Sequence, residues 1–273
     1  LISLSLYFVF NYSINGSIFP NTFYAKQTEY AILYERPLLT RFFSMFMVVI
    51  TGIGAALLPG FLYKIFLIFK KKNWIIISIV LWIFGYIFIY AYRLPVNYQH
   101  GRYIIPVIPA AILISILGYQ ELSASFVGRW VWVINKSWGI IISLVLILFV
   151  VLGAQSYAKD VAIIESEMVD CAHWIRENTP TDAIIGAHDI GALGFYANRK
   201  IIDLAGLISP EVIPFMRDET ELANFLDAKQ ADYLMTFPSW YPEIVSQLMT
   251  IYDSHGSFAP AEGGENMKVF KWN

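Results

Sequence analysis

The sequence has 273 residues, of which 57% are hydrophobic and only 15% are charged. This composition is too apolar for an ordinary soluble protein and indicates a membrane protein. The formal net charge of -2 argues against a general nucleic-acid binder, because such proteins need a basic surface to displace counterions from phosphates. We therefore expect a bilayer, and no nucleic acid, among the partners.

The chain opens with "LISLSLYFVFN", which contains neither an initiator Met nor a basic segment. This pattern is typical of the end of a membrane span and not of a signal peptide. We therefore expect the sequence to be the C-terminal part of a longer protein.

Several apolar windows follow. A helix needs about 20 residues to cross a hydrocarbon core about 30 Å thick, and the windows that reach or approach this length are 41–69, 74–92, 103–119 and 138–154. In the first of them, Pro59 and Gly60 predict a kink. Residues 1–154 are thus predicted to form a transmembrane helical bundle, made of the end of one span and about four further spans.

Lysines fix the expected orientation of these spans. Lys70–Lys72 lie between two windows, and the positive-inside rule assigns such a cluster to the cytoplasm. The segments then assigned to the outer side are 11–40, 93–102 and everything after 154, whereas 120–137 returns to the cytoplasm. Arg93 and Arg102 would lie on the outer side, against the rule, so we expect a role other than topology for at least one of them.

After Ala154 the composition becomes that of a soluble domain. Short β-branched runs alternate with amphipathic helical segments, a pattern that predicts a small α/β domain with a largely parallel sheet over residues 155–273. The predicted strands are 183–187, 200–204, 231–237 and an edge strand at 267–272, and the predicted helices are 168–180 and 219–230.

Phosphate-binding motifs are not recognised in this domain, because neither GxGxxG nor GxxxxGK[ST] occurs in it. His188 and Asp189 follow a predicted strand, where α/β sheets place ligands, but a strand-end polar pair is more often a helix cap, and we favour the cap. His173 has no second histidine at metal-ligand spacing, and Cys171 is the only cysteine, so the sequence predicts no metal site.

Cations and aromatic side chains are concentrated in the two outer loops. Lys26 follows "FPNTFYA" in the first loop, and His100 and Arg102 precede an apolar window in the second. One interpretation is interfacial anchoring, with aromatic rings at headgroup level and cations extended towards water. The other is a cavity in which Arg102 and Lys26 hold an anionic lipid phosphate. The residues alone favour neither.

Three segments carry a resemblance that favours the second interpretation. They are "FPNTFYAK", "HGRYIIPVIPA" and "DIGALGFYANRKIIDLAGLISPEV". Together they resemble the C-terminal half of GT-C membrane glycosyltransferases, in particular the prokaryotic protein-mannosyltransferases and mycobacterial arabinofuranosyltransferases. The resemblance implies an integral plasma-membrane enzyme with an extracytoplasmic C-terminal domain. It would transfer a sugar from a polyprenyl-phosphate donor to a glycan, lipid or protein acceptor on the outer face.

The resemblance also implies site residues. The leaving lipid phosphate needs positive charge, and Arg102 with His100 is the first choice for that role. Lys26 and Asn21 are second choices for contacts with the donor phosphate or sugar, and Tyr24 is the third. The acidic catalytic residue of the family lies in an earlier outer loop, so we expect it upstream of this sequence. Asp203 is expected to hold the following "AGL" in shape by accepting backbone hydrogen bonds.

Other functions remain open at this point. A transporter or lipid flippase would also carry charge near its spans, although neither inverted repeats nor broken helices are visible in the sequence. A membrane-anchored binding or sensor module would need fewer aromatic-rich spans than the sequence contains. A divalent metal remains an open alternative as a cofactor, and the lipid-linked sugar is the donor substrate that the resemblance implies.

Overall fold

The computed structural model describes residues 2–97 and 99–272. The chain divides into two compact units, one of residues 30–154 and one that combines the residues up to Glu29 with those from Gln155 onwards. The sequence predicts only the boundary at residue 154, and the grouping of the first residues with the C-terminal part comes from the tertiary structure.

The described part of the chain begins with eight α-helices, and the strands follow from residue 184 onwards with three further α-helices between them. The helices are α1 (Ile2–Asn15), α2 (Asn21–Glu29), α3 (Leu38–Val49), α4 (Ile53–Lys71), α5 (Trp74–Arg93), α6 (Ile108–Ser123), α7 (Arg129–Ile163), α8 (Asp170–Asn178), α9 (Glu219–Ala228), α10 (Pro242–Val245) and α11 (Phe258–Ala261). The strands are β1 (Ile184–Ala187), β2 (Lys200–Asp203), β3 (Tyr233–Thr236), β4 (Met249–Asp253) and β5 (Lys268–Lys271).

Within the described residues, three helical stretches are long and apolar enough to cross a membrane, namely Trp74–Arg93, Ile105–Ser123 and Arg129–Asn178. The helices α3 and α4 would add a fourth if they form one span, although they are bent by 107°. The sharp bend lies at Thr51 and Gly52, where Gly52 has φ +62°, and not at the predicted Pro59 and Gly60, which lie inside α4. A positive φ is accessible to glycine at little cost, which explains the break there.

Helices α4 and α6 approach each other through two glycines. A Cβ on Gly60 would clash with the carbonyl oxygen of Ser115, and one on Gly118 would clash with the carbonyl oxygen of Gly60. Such small residues let helix backbones meet where the driving force is packing. An ion pair of 2.7 Å between Lys64 and Glu121 joins the same two helices.

The sheet of the C-terminal domain has the strand order β2-β1-β3-β5-β4. Strands β2, β1 and β3 are parallel, and β5 pairs antiparallel with both β3 and β4. The prediction that residues 267–272 form an edge strand is wrong, because β5 lies inside the sheet. The edge strand next to it is β4, which the sequence analysis did not identify, and the other edge is β2. Val269 and Phe270 are both buried, so both faces of β5 are covered, which suits an inner strand.

Hydrophobic clusters cover the two faces of this sheet. Leu222 and Leu226 of α9 belong to one cluster with Leu234 of β3. Cys171 and Ile175 of α8 belong to the other, so Cys171 is a buried packing residue, as the sequence suggests. Helices on both faces leave the carboxyl ends of the parallel strands as the accessible edge for a site.

Candidate functional site

Polar side chains meet at the carboxyl ends of the three parallel strands. His188 directly follows β1, Asp203 is the last residue of β2, and Tyr241 comes shortly after β3. Since β1 lies between β2 and β3, the chain connections diverge on either side of it. This is the position at which open α/β sheets bind ligands.

Asp203 is fully buried and shapes the loop that follows β2. Its carboxylate accepts hydrogen bonds from the backbone N–H groups of Ala205 at 2.9 Å, Leu207 at 2.5 Å and Ile208 at 2.7 Å. This confirms the expectation that Asp203 holds the "AGL" turn. In that turn Gly206 adopts φ +72°, a conformation that favours glycine.

His188 is bonded to a buried phenol. Its Nδ1 atom lies 2.7 Å from the Tyr241 hydroxyl, and burial raises the pKa of Tyr241, so the phenol stays protonated. Burial also lowers the pKa of His188, while Glu29 opposes that shift and Lys26 adds to it. The imidazole is therefore neutral near pH 7. When the phenol donates its proton to Nδ1, the ring carries its own proton on Nε2.

Helix α2 brings an ion pair to this histidine. Ala25 is fully buried, and a Cβ placed on Gly206 would lie 3.7 Å from the Ala25 methyl, so α2 packs on the loop after β2. Lys26 Nζ lies 2.7 Å from Glu29 Oε2, and Glu29 Oε1 lies 4.0 Å from His188 Nε2. Helix α2 therefore brings Lys26, the last residue of "FPNTFYAK", and Glu29 to the carboxyl edge of the sheet.

Aromatic rings border the same cluster. The Trp240 ring lies 4.9 Å from the His188 ring at 66° and 5.0 Å from the Phe237 ring at 62°, between ring centroids. Trp240 is 42% exposed. The backbone N–H of the preceding Ser239 donates to Glu265 at 2.9 Å, which fixes the loop that carries the indole.

The sequence-predicted residues of α2 have different surroundings. Lys26 is part of the cluster just described. Asn21 begins the helix and is half-buried. The ring of Tyr24 packs edge-on against Phe23 at 5.3 Å and Phe19 at 6.5 Å, so its contacts are those of a packing aromatic residue.

Arg102 and His100 belong to the unit of residues 30–154. Arg102 is exposed, its guanidinium lies 4.9 Å from the centre of the Tyr103 ring, and its Nη2 donates to the Tyr103 hydroxyl at 2.9 Å. His100 is exposed and has φ +57° in a tight turn. The structure thus holds both side chains at a short turn before α6.

Two histidine interpretations can also be compared with the structure. Asp189 accepts a hydrogen bond of 3.3 Å from the Gly191 N–H, in keeping with a cap, but His188 bonds to Tyr241, so the cap interpretation is wrong for His188. The His173 ring lies 4.8 Å from the Tyr196 ring. Within residues 2–97 and 99–272, no three His, Cys, Asp or Glu side chains are grouped so that they could hold a metal ion.

Sequence reasoning missed Glu29, Trp240 and Tyr241 as members of this cluster. "SWYP" follows β3 just as "HD" follows β1, and the strand-end rule that singled out His188 applies equally to that segment. For Glu29 no comparable signal exists, because Glu29 and His188 are 159 positions apart in the chain.

Comparisons with known proteins identify one similarity. Residues 155–270 match the model of a family described as a domain of unknown function (DUF8728). The matched segment is less than half of the chain. It contains His188, Asp203 and Tyr241 but neither Lys26 nor Glu29. No curated protein and no solved structure matches the chain.

Proposed function

We propose that this chain is the C-terminal half of a GT-C membrane glycosyltransferase, which transfers a sugar from a polyprenyl-phosphate donor to an acceptor on the outer face of the plasma membrane. The observation that carries the proposal is the Lys26–Glu29 ion pair beside His188. Its lysine ends the "FPNTFYAK" segment that resembles the family, and the pair lies at the carboxyl edge of the sheet, where α/β sheets place ligands.

The helical part of the chain supports a membrane location. Its three apolar helical stretches have the length and composition of spans. A lipid-linked donor is delivered at the membrane surface, so a chain that combines apolar spans with a globular domain suits this chemistry. The C-terminal domain is extracytoplasmic in this proposal, and the bilayer, the donor and a glycan, lipid or protein acceptor are the partners.

The transfer exchanges one carbon–oxygen bond for another and moves one proton. The acceptor hydroxyl oxygen attacks the anomeric carbon, the bond from that carbon to the phosphate oxygen breaks, and the lipid phosphate leaves as an anion. The hydroxyl proton passes to a carboxylate, which is expected upstream of this chain. Positive groups near the leaving phosphate stabilise its developing charge.

Lys26 is the proposed cation of the C-terminal unit. Its ammonium is a compact point charge with three N–H donors, so it can bind a phosphate oxygen while it keeps Glu29 as a partner. Asn21 and Tyr24 lie on the same helix and are proposed as weaker contacts to the donor.

Arg102 is the proposed cation of the other unit, with His100 beside it. A guanidinium can hold a phosphate through two parallel hydrogen bonds. The hydrogen bond to the Tyr103 hydroxyl holds the Arg102 guanidinium in place without removing its charge. The role of both residues rests on the resemblance and on this chemistry.

Substitution of the two cations in the full-length protein tests the proposal. Loss of a charged hydrogen bond costs about 1.5–3 kcal/mol, which is roughly a ten- to hundredfold loss of kcat/KM. We expect Lys26→Ala and Arg102→Ala each to show this loss in an assay with a lipid-linked donor at equal protein abundance. Arg102→Lys should recover part of the activity because it keeps the charge but loses the planar fork.

Matched controls make this test specific. Lys229 forms an exposed ion pair of 3.2 Å with Glu211, so Lys229→Ala removes a comparable pair elsewhere and should leave transfer unchanged. Arg93→Ala should also have little effect. Near-normal transfer by both Lys26→Ala and Arg102→Ala, or no transfer by the unmodified protein with any polyprenyl-phosphate sugar, would contradict the proposed function.

A further inference from the structure

The gap between Glu29 and His188 is defined by groups that fix both side chains. Glu29 Oε1 and His188 Nε2 are 4.0 Å apart, beyond the length of a hydrogen bond. The other oxygen of Glu29 is held by Lys26 at 2.7 Å, and the other nitrogen of His188 is held by Tyr241 at 2.7 Å. Each side chain is therefore held through its other polar atom, and the 4.0 Å space lies between Glu29 Oε1 and His188 Nε2.

The chemistry of these two atoms selects a hydroxyl group. An ionised carboxylate only accepts hydrogen bonds, and the Nε2–H of a neutral imidazole donates one. A bridging group must therefore donate to Glu29 and accept from His188. A hydroxyl does both, whereas an ionised phosphate oxygen cannot donate and an ammonium group cannot accept. An oxygen about 2.8 Å from each atom spans the gap with normal hydrogen-bond lengths.

An aromatic face lies beside the gap. Trp240 is 42% exposed and meets both His188 and Phe237 at steep angles, so neither of these neighbours is stacked parallel on its indole plane. A sugar ring presents C–H groups on its face and hydroxyl groups at its rim. The C–H face packs on an aromatic plane while the rim hydroxyls reach polar groups. Ligand sites commonly combine apolar walls with a few oriented polar atoms in this way.

We infer that the carboxyl end of the sheet is a saccharide-binding subsite, in which Trp240 packs on the face of a sugar ring and Glu29 with His188 holds one of its hydroxyls. The inference rests on the proposed function for the source of the sugar, which is either the donor or a glycan acceptor. Recognition of the ring and its hydroxyl is common to both sources.

Binding of soluble sugars tests the subsite without turnover. The full-length protein in lipid nanodiscs is titrated with methyl α-mannopyranoside, methyl α-glucopyranoside and methyl α-arabinofuranoside, and binding is followed by saturation-transfer NMR. We expect at least one glycoside to bind and Trp240→Ala to weaken it about tenfold, with Trp240→Phe close to the unmodified protein. Glu29→Gln should weaken binding by a similar factor, because the amide keeps the shape but loses the charge.

Phe195→Ala is the matched control, since Phe195 is an aromatic residue of the same unit that is 81% exposed, and it should bind like the unmodified protein. Thermal unfolding of every variant separates lost binding from lost folding. Absence of binding by all three glycosides, or binding by Trp240→Ala and Glu29→Gln that is as tight as binding by the unmodified protein, would overturn the subsite.

Transfer kinetics then distinguish the source of the sugar and keep the two proposals separate. A raised KM for the lipid-linked donor in Trp240→Ala assigns the subsite to the donor sugar, and a raised KM for the acceptor assigns it to the acceptor. An unchanged KM for both the donor and the acceptor in Trp240→Ala would overturn the subsite and leave the proposed glycosyltransferase activity standing. Saccharide binding that Trp240→Ala weakens, in a protein without any transfer activity, would leave the subsite standing and overturn the enzyme.

Discussion

His188 is the residue at which most of the ionisable groups of the site act together. Glu29 and Lys26 face it from α2, Asp203 from the end of β2, and Asp189 from its own loop. Burial has the largest effect and lowers the pKa below the ordinary 6.5, whereas the three carboxylates oppose that shift. The neutral ring is thus maintained by desolvation and not by a nearby cation alone.

This environment predicts a pH dependence of stability. Between the lowered pKa of the folded state and the unfolded value of about 6.5, the unfolded chain binds more protons, so acidification through this window favours unfolding. His188→Asn removes the titration, and we expect a flatter dependence of the melting temperature on pH between about 7.5 and 5.5.

The comparison variant is His255→Asn, which removes a histidine whose side chain is 84% exposed and lies 3.4 Å from Asp253. Thermal unfolding of the purified proteins at several pH values measures the effect. A slope in His188→Asn as steep as in the unmodified protein would show that His188 does not titrate in this way.

Glu167 is a buried carboxylate whose hydrogen bonds join separate segments of the C-terminal domain. It lies in the π-helical turn Ile164–Val169 and accepts hydrogen bonds from the Met267 N–H at 2.8 Å, from Asn266 Nδ2 at 3.1 Å and from the Ser254 hydroxyl. The wider turn of a π-helix rotates a side chain relative to its neighbours. Glu167 can therefore join the long helical stretch to the segment before β5.

Removal of this carboxylate should be strongly destabilising. Glu167→Ala leaves the Met267 N–H and the Asn266 amide without their acceptor in a buried place, which costs about 3 kcal/mol. We expect a fall of several degrees in the melting temperature. Glu165→Ala changes an exposed glutamate in the same turn and should be within about 0.5 kcal/mol of the unmodified protein. Equal melting temperatures for the two variants would contradict the structural role.

At the scale of elements, the contact of α4 with α6 depends on the absence of two side chains. Gly60 and Gly118 face each other so closely that a methyl group on either would meet backbone atoms of the other helix. Backbone cannot move aside as a flexible side chain can, so a substitution must separate the helices. Helices α3 and α5 instead meet through side chains, since the rings of Phe46 and Phe84 stack at 5.7 Å. Side chains of this kind can move to accommodate a substitution.

Two alanine substitutions distinguish a contact glycine from an ordinary helical glycine. Gly118→Ala should destabilise the protein by about 1–3 kcal/mol, because the added methyl overpacks the α4–α6 contact. Gly85→Ala lies inside α5 with nothing within 4 Å of the added Cβ, and it should stabilise the protein by about 0.5–1 kcal/mol. Thermal unfolding in detergent compares the two, and a stable Gly118→Ala protein would rule out the close contact.

The sheet shows how far element prediction from sequence can go. The runs before His188 and around Asp203 were identifiable as strands from their β-branched residues, and both exist as β1 and β2. The edge assignment of β5 failed because position in a sheet depends on partners distant in sequence. Strand β4 was not identified, and it follows the short helix α10 after only a few residues.

At the scale of the whole molecule, the expected orientation in the membrane follows from the position of Lys70–Lys72. The charges that define it are few, because only 15% of the residues are charged. A chemical test of sidedness is therefore more decisive than further counting of lysines.

Introduced cysteines provide that test. The native Cys171 is buried and burial raises its pKa, so it should remain silent towards a membrane-impermeant maleimide. We expect cysteines in place of the exposed His100 and Ser257 to react in intact cells, and one in place of the exposed Ser125 to react only after permeabilisation. Labelling of Ser125→Cys alone in intact cells would reverse the orientation and contradict an extracytoplasmic C-terminal domain.

The sequence by itself determined the properties that depend on local composition and periodicity. Apolar windows indicated the long helices, β-branched runs indicated β1 and β2, and the residues after Asp203 predicted its backbone hydrogen bonds. These features need only neighbouring residues, and the physical preferences of those residues act over short distances. Lys26 was selected in the same way, from a motif and its charge.

Only the tertiary structure decided which of these residues meet. It packs α2 on the loop after β2 through Ala25 and Gly206, and so joins Lys26 and Glu29 to His188, Trp240 and Tyr241. The contact forms because a small side chain and a glycine let two distant segments approach closely. A contact of this kind depends on the packing of the whole unit, which no local pattern in the chain specifies.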